Sequence, residues 1–365
     1  MERRKLAIFA VAVVFAILLS STALAIAQEE LNIKKEGWLD EIIFVAEDDR
    51  AKVVDMLSKG DLDIYFIDIS DPDLFRQIRE TPDLEYGFSY GLYYELTFNP
   101  VGPEFPATGE LNPFSNPKIR EAMNYIIDRN YIVDELMGGL GSPKFVPVPK
   151  GFPEYERYKD VIEGIEQQYA YDFDKGKQTI EQELANMGAT KQGDKWYYKG
   201  NPITIKFLIR TEDVRKEIGD YVANQLEAIG LTVDRMYKTS KEAAPYWILG
   251  DPADGEWHMY TGGWITTVVS RDDADNFAFF YTDMGFSWSP LWQAYSPSDE
   301  FYNVAKQLAE KRFHSMDERN QLMRQAFQYA IQDSVRVWLT DQTAVWARRK
   351  NIDAVLDLAA GYATP

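Results

Sequence analysis

"ITIKFLIRTEDVRKEIGDYVANQLEAIGLTVDRM", residues 203–236, changes its hydrophobic period twice. Ile203 to Ile209 is rich in β-branched residues and reads as a strand. Glu212 to Ile229 then sets Val214, Ile218, Val222, Leu226 and Ile229 on one helical stripe. Acids Glu212 and Asp213 occupy its first turn, and Gly230 stands where the helix must stop. Leu231 to Met236 reads as a second strand. A strand, a helix and a strand joined this tightly make a βαβ unit, which requires parallel pairing and a covering helix layer. The chain is therefore of the α/β class.

The pattern extends in both directions. Upstream, Asp40 to Val45 reads as a strand, Asp48 to Leu57 as a helix stopped by Lys59-Gly60, and Leu62 to Ile67 as a second strand. "SDPDLFRQIRETP" has Asp71 as cap, Pro72 at the first helical position and Thr81-Pro82 as terminator, with Leu74, Phe75 and Ile78 as its stripe. "GFSYGLYYELTFN", residues 87–99, contains a strand, and Pro100 to Pro117 reads as a crossing between domains. "NPKIREAMNYIIDRNYIVDELMGG" gives two helices, the second capped by Asp128. Another helix ends at Gly188, and two strands turn about Gly200-Asn201. Downstream, Lys241 to Ser296 is loop-rich and holds most of the nine tryptophans. Ser296-Pro297-Ser298-Asp299 and Ser315-Met316-Asp317-Glu318 fit capping boxes that open two helices. "VRVWLTDQTAVWARR" and "IDAVLDL" read as returning strands. The sum is two α/β lobes joined by more than one crossing.

The amino terminus gives the address. Glu2-Arg3-Arg4-Lys5 precedes an apolar run from Leu6 to Leu19, and Ala25-Ile26-Ala27 is an A-x-A cleavage site before Gln28. An uncleaved anchor over Leu6 to Ala27 is the other reading. The chain has no cysteine, which removes a disulfide framework, a thiolate zinc site and a lipid-modified cysteine. Its 58 acidic against 39 basic residues give a net charge of −19, a surface that repels nucleic acid.

Three chemical signals need weighing. Gly87, Ser89 and Gly91 match the G-x-S-x-G nucleophile elbow, but an elbow places a helix after the serine. Here Leu92, Tyr94, Leu96 and Phe98 alternate with Tyr93, Glu95 and Thr97, so a strand follows and Ser89 is expected to be silent. His258 and His314 are the only histidines and form no H-E-x-x-H pair, so no metal site is expected. In "RDDADNF", Asp272, Asp273 and Asp275 read as solvated or helix-capping, since the glycine and distal glutamate of a calcium loop are missing. A secreted hydrolase using two carboxylates remains the enzymatic alternative, although no catalytic constellation supports it.

Ordered blocks of this chain resemble the oligopeptide/dipeptide class (family 5) of ABC-importer solute-binding proteins. They are Gly60-Asp61-Leu62-Asp63-Ile64, Tyr93-Tyr94-Glu95-Leu96-Thr97-Phe98-Asn99, Pro113-Phe114 through Asp128-Arg129, Leu226 to Val233, and Gly263-Trp264. The resemblance implies a two-lobed, type II periplasmic-binding-protein fold with mixed sheets flanked by helices. It also implies a non-enzymatic, monomeric protein without cofactor that captures a peptide or oligosaccharide-like solute for an ABC permease. The expected partition is signal peptide 1–27, lobe I 28–110, lobe II 111–262, and a return to lobe I over 263–365. Family members usually carry a longer segment before the first block, so part of lobe one is expected to be missing. The candidate ligand-binding residues are Tyr93, Glu95, Asn99, Tyr260, Trp264, Thr267 and Arg271. The Tyr93, Glu95, Thr97 face has two readings: a ligand or hinge surface, or cover for a lobe core. Peptide-binding members often have an Asp three positions after the cleft Trp. Thr267 stands there, which puts an α-amino ligand in doubt and makes a neutral solute credible.

N-terminal sequencing of the exported protein is expected to begin at Gln28; an intact Met1 on membrane-bound protein would exclude cleavage.

Overall fold

The computed structural model describes residues 39–267 and 272–362. Residues 49–365 form one compact unit and the chain before them another. In the first unit the expected strand from Asp40 to Val45 does not form; Ile42, Ile43 and Phe44 are exposed and none of these residues joins a ladder. Apolar β-favouring composition makes a strand only when a paired neighbour takes up its N–H and C=O groups.

The second unit is organised by a six-stranded mixed sheet in the order β3 (Gly141–Pro143), β10 (Arg336–Gln342), β2 (Leu92–Phe98), β9 (Met259–Ile265), β7 (Thr204–Arg210) and β8 (Thr232–Lys238). The expected βαβ unit is there. Thr204 pairs in parallel with Thr232 and Arg210 with Lys238, while the crossover helix Arg215–Ile229 buries Ile218, Val222, Leu226 and Ile229. Gly230 ends it at φ 107°, where an added Cβ would lie 2.2 Å from the Asp194 carbonyl oxygen. The remaining pairings, apart from β7 with β9, are antiparallel.

Helices Pro117–Ile126, Phe173–Asn186 and Arg215–Ile229 cover one face, and their core includes Tyr94, Leu96, Phe98, Met123, Ile180 and Phe207. On the other face, Lys159–Gln168, Asn276–Tyr281, Asp299–Ala309 and Met316–Asp333 pack around Tyr93, Phe277, Phe327 and Trp338. A hairpin of β4 (Thr190–Gln192) and β5 (Lys195–Tyr198), extended by β6 (Asn201–Pro202), flanks this lobe.

A smaller lobe holds the antiparallel pair β1 (Leu84–Ser89) and β11 (Ala344–Arg349) with helices Arg50–Lys59 and Pro72–Glu80. Asp49 and Asp71 cap these helices through their carboxylates, and Gly60 ends the first at φ 84°. Leu62 to Ile67 is not the parallel strand expected. Ile64 makes one antiparallel bridge to Arg348, and Ile69 N–H donates to Val345. Without a paired first strand, the segment follows β11 instead. "IDAVLDL" is likewise not a strand; Asp357 bridges only to Gly361.

One sheet takes β2 and β10 from segments expected in lobe I, β7 and β8 from the segment expected in lobe II, and β9, which spans 262/263. Strands β2, β9 and β10 are remote in sequence but adjacent in space. Ser89 ends β1, is fully buried, and accepts a hydrogen bond from Trp346 Nε1 at 2.8 Å. A serine held this way has no access to a substrate.

His258 links β7 to β9. Its N–H donates to the Lys206 carbonyl at 2.8 Å, and its Nδ1 accepts from the Lys206 N–H at 3.1 Å. Burial, aided by the Lys206 charge, pulls the imidazole down to about 4 from its usual 6.5. Between those values the unfolded chain binds a proton that the folded one refuses, so stability falls as pH drops from about 6.5 towards 4. The loss amounts to roughly 3 kcal/mol. Urea midpoints measured across this window are expected to decline, and His258→Gln should flatten that part of the slope.

Candidate functional site

The register of three strands assembles a polar cluster on the face opposite the βαβ helix. Tyr93 lies opposite Trp264, Glu95 opposite Gly262 and Thr97 opposite Tyr260. Across the other edge of β2, Glu95 pairs with Trp338 and Thr97 with Arg336. Glu95 is wholly buried; its Oε1 accepts from Thr97 Oγ1 at 2.6 Å, Trp264 Nε1 at 3.2 Å and Arg336 Nη1 at 3.2 Å. Its Oε2 has no hydrogen-bond partner among the described residues. Gly262 makes this possible, because a Cβ there would sit 1.9 Å from Glu95 Oε1.

Burial pushes the Glu95 carboxyl up, against the opposing pull of Arg336, Thr97 and Trp264. It also pushes the Arg336 guanidinium down. Desolvation thus opposes both charges, and their pairing offsets part of that cost. Arg336 is further held by aromatic faces, with its guanidinium 4.7 Å from the Trp292 ring centre, 5.2 Å from Phe280 and 5.5 Å from Trp264. A narrow recess lined by Thr97, Phe280, Trp292 and Arg336 opens beside it.

The other candidates are placed as follows. Tyr93 is buried between the Lys144 ammonium, 4.6 Å from its ring centre, and the edge of Trp338. Asn99 is fully occupied: its Nδ2 donates to the Pro252 and Trp257 carbonyls, each at 3.0 Å, and its Oδ1 accepts from Val101 N–H. It anchors the end of β2. Tyr260 is buried, stacks on Trp247 at 4.6 Å and accepts from Arg210 Nη1 at 2.9 Å. Trp264 is half-buried and Thr267 exposed. Arg271 lies outside the described residues. Asp272 caps a helical turn through Ala274 N–H and pairs with Arg319, while Asp273 is buried beside Asn276.

On the opposite face, charged residues join the lobes. Arg50 of the smaller lobe donates to the Glu212 carbonyl at 2.6 Å and to the Asp68 carbonyl at 2.9 Å. Arg215 forks onto Asp213 at 2.6 and 2.8 Å and lies 5.1 Å over the Tyr94 ring. Gly263 leaves room for it, since a Cβ there would approach Arg215 Nη1 to 2.8 Å. Burial raises the Asp68 carboxyl. Sequence reasoning missed these groups and Arg336. The one available signal was a charge inside the apolar run "VRVWL", which requires a buried partner.

Residues 32–288 match the sequence profile of the bacterial extracellular solute-binding proteins, family 5. The chain belongs to this family. It is 25% identical over 196 residues to the periplasmic oligopeptide-binding protein OppA of Haemophilus influenzae, covering 53% of this chain and 32% of that protein. Its fold is that of the oligopeptide-binding protein AppA from Bacillus subtilis, solved with a nonapeptide: TM-score 0.66, 18% identity, 86% of this chain and 56% of that one. NikZ from Campylobacter jejuni, solved with Ni(L-His), aligns with TM-score 0.65 at 16% identity over 85% of this chain and 56% of its own. The chain spans about half the length of these solved relatives. The two-lobed periplasmic-binding-protein architecture follows, and the relatives are binding proteins rather than enzymes. No helix among the described residues is long and apolar enough to cross a membrane.

A double-mutant cycle tests the pair. Glu95→Gln and Arg336→Met are each expected to destabilise by about 3 kcal/mol, because each strands a buried polar partner. The double variant should cost less than their sum by more than about 1 kcal/mol in urea unfolding.

Proposed function

We propose that this chain is the extracytoplasmic, solute-capturing component of an ABC importer, delivering a peptide or oligosaccharide-like solute to permease subunits. In this reading the lobes are residues 49–91 with 343–362 and residues 92–342, and the captured solute rests against the Trp264 end of β9. The protein acts as a monomer without cofactor and binds no nucleic acid.

The observation that carries the reading is the state of Trp264. Its N–H is held by Glu95 and its ring is braced by Phe279 at 5.6 Å and Phe280 at 5.1 Å, yet the indole is only half-buried. An aromatic ring fixed on a strand and left partly open offers flat apolar area at little entropic cost. Glu95 and Arg336 behind it set the ring's orientation. Family membership supplies the transport context.

Mass spectrometry of solute released from the purified chain identifies the ligand, and calorimetry with that solute measures its affinity. Trp264→Ala is expected to weaken binding by about 30-fold to nearly a thousandfold, the effect of losing an anchor worth roughly 2–4 kcal/mol. Thr267→Ala should cost about 1 kcal/mol, one neutral hydrogen bond. Unchanged affinity in a Trp264→Ala protein with native circular dichroism would remove Trp264 from the site.

A further inference from the structure

Two neighbouring strands carry the chain from one proposed lobe to the other. β2 begins at Leu92 and β10 ends at Gln342, and they pair side by side in the middle of the six-stranded sheet. A connection this narrow lets the smaller lobe rock about it, unless something beside the strands holds it. The sheet order β3-β10-β2-β9-β7-β8 puts a segment of the larger lobe on each flank. Glu212 follows β7, two strands or about 10 Å to one side of β2. Gly138 precedes β3, on the far side of β10.

Both flanks touch the smaller lobe, in different ways. On the β3 flank the contact is steric: a Cβ added at Gly138 would lie 2.6 Å from Pro72 Cγ. On the β7 flank it is directional. Arg50 Nε donates to the Asp68 carbonyl at 2.9 Å and its Nη1 to the Glu212 carbonyl at 2.6 Å, so one guanidinium spans both lobes. Arg50 is the first residue of its helix, the end at which the helix dipole disfavours a cation. Helix stability does not account for an arginine there; the two carbonyls do. Each carbonyl belongs to a braced segment. The Glu212 carboxylate accepts from Arg210 at 2.8 and 2.9 Å and from the Ser240 N–H at 2.6 Å. On the other side, Asp68 Oδ2 accepts from Ser70 Oγ at 2.7 Å, and Ile69 N–H donates to the Val345 carbonyl at 2.7 Å.

We propose that Arg50 is a positioning residue that sets the angle between the lobes, fastening the β7 flank while Pro72 bears on Gly138 at the other. The proposal rests on the solute-capture reading for its division into lobes, and it names the side chain that fixes their relation. The fork is essential, because its two acceptors belong to different bodies. A lysine ammonium, a single point of charge on a flexible stem, does not reproduce that paired geometry. With the fork removed, orientations in which the smaller lobe has swung away from β7 become populated.

The chain has no cysteine, so a pair of spin labels can be placed in the full chain at two introduced thiols. Asp55 on the Arg50–Lys59 helix and Glu217 on the crossover helix are both exposed, and Asp55→Cys with Glu217→Cys carries the labels. Their separation is read by pulsed electron paramagnetic resonance with no solute added. The parent should show one narrow distance. Arg50→Met should lengthen the mean by more than about 2 Å or open a second, longer population. Arg50→Lys should follow it, and Arg50→Gln carries the same expectation should the methionine variant fail to fold. Parent-like distances in Arg50→Met or Arg50→Gln, with native circular dichroism, overturn the proposal, and so does an Arg50→Lys distribution identical to the parent's. The labels report lobe orientation whether or not a solute is captured, so a failed calorimetric titration removes solute capture without deciding the role of Arg50, which the distances decide.

Discussion

Strand β2 is buried on both faces, and the rest of the larger lobe is arranged around that constraint. Tyr94, Leu96 and Phe98 enter the core under the βαβ helix, while Tyr93, Glu95 and Thr97 enter the opposite layer. A strand covered on both sides has no face on which to leave a charge solvated. Glu95 at its centre must then be met by a buried cation, and Arg336 on the adjacent strand meets it. That requirement fixes which strands flank β2, why Gly262 has no side chain, and why aromatic rings crowd the guanidinium.

The same arrangement fixes the orientation of an aromatic ring. Desolvation opposes the charged form of both members of the buried pair. The pair's consequence is positional, since the carboxylate holds the Trp264 indole N–H and the guanidinium lies over its ring. Binding surfaces gain from rings whose rotamers are settled before the solute arrives. The lobe junction shows a parallel economy of charge: Arg50, Asp213 and Arg215 are all engaged by neighbours. Buried Arg129 is held without a carboxylate, by the Lys144, Trp338 and Asn124 carbonyls and Asn124 Oδ1.

Much of the architecture was legible beforehand. The 203–236 stretch specified a parallel pair with a covering helix, because stripe, cap and strand all agree locally. The caps at Asp49, Asp71, Asp128, Ser298 and Ser315 lie at or within a residue or two of the expected helix starts. Exclusion of Ser89 as a nucleophile also followed from local pattern. Of the candidate residues, Tyr93, Glu95, Tyr260 and Trp264 share one sheet face, which period-two alternation and a Gly-Trp signal were enough to suggest.

What local pattern could not supply was pairing at a distance. Glu95 and Arg336 are 241 residues apart, and only the β2–β10 register brings them together. Asp40 to Val45 and Leu62 to Ile67 have strand composition but no regular ladder, since a strand exists through its neighbour and a helix through its own hydrogen bonds. Sequence alone therefore determined the helices with their caps, the βαβ unit and the family. Tertiary structure decided which strands stand side by side, which acid meets which base, and which aromatic rings are left partly exposed.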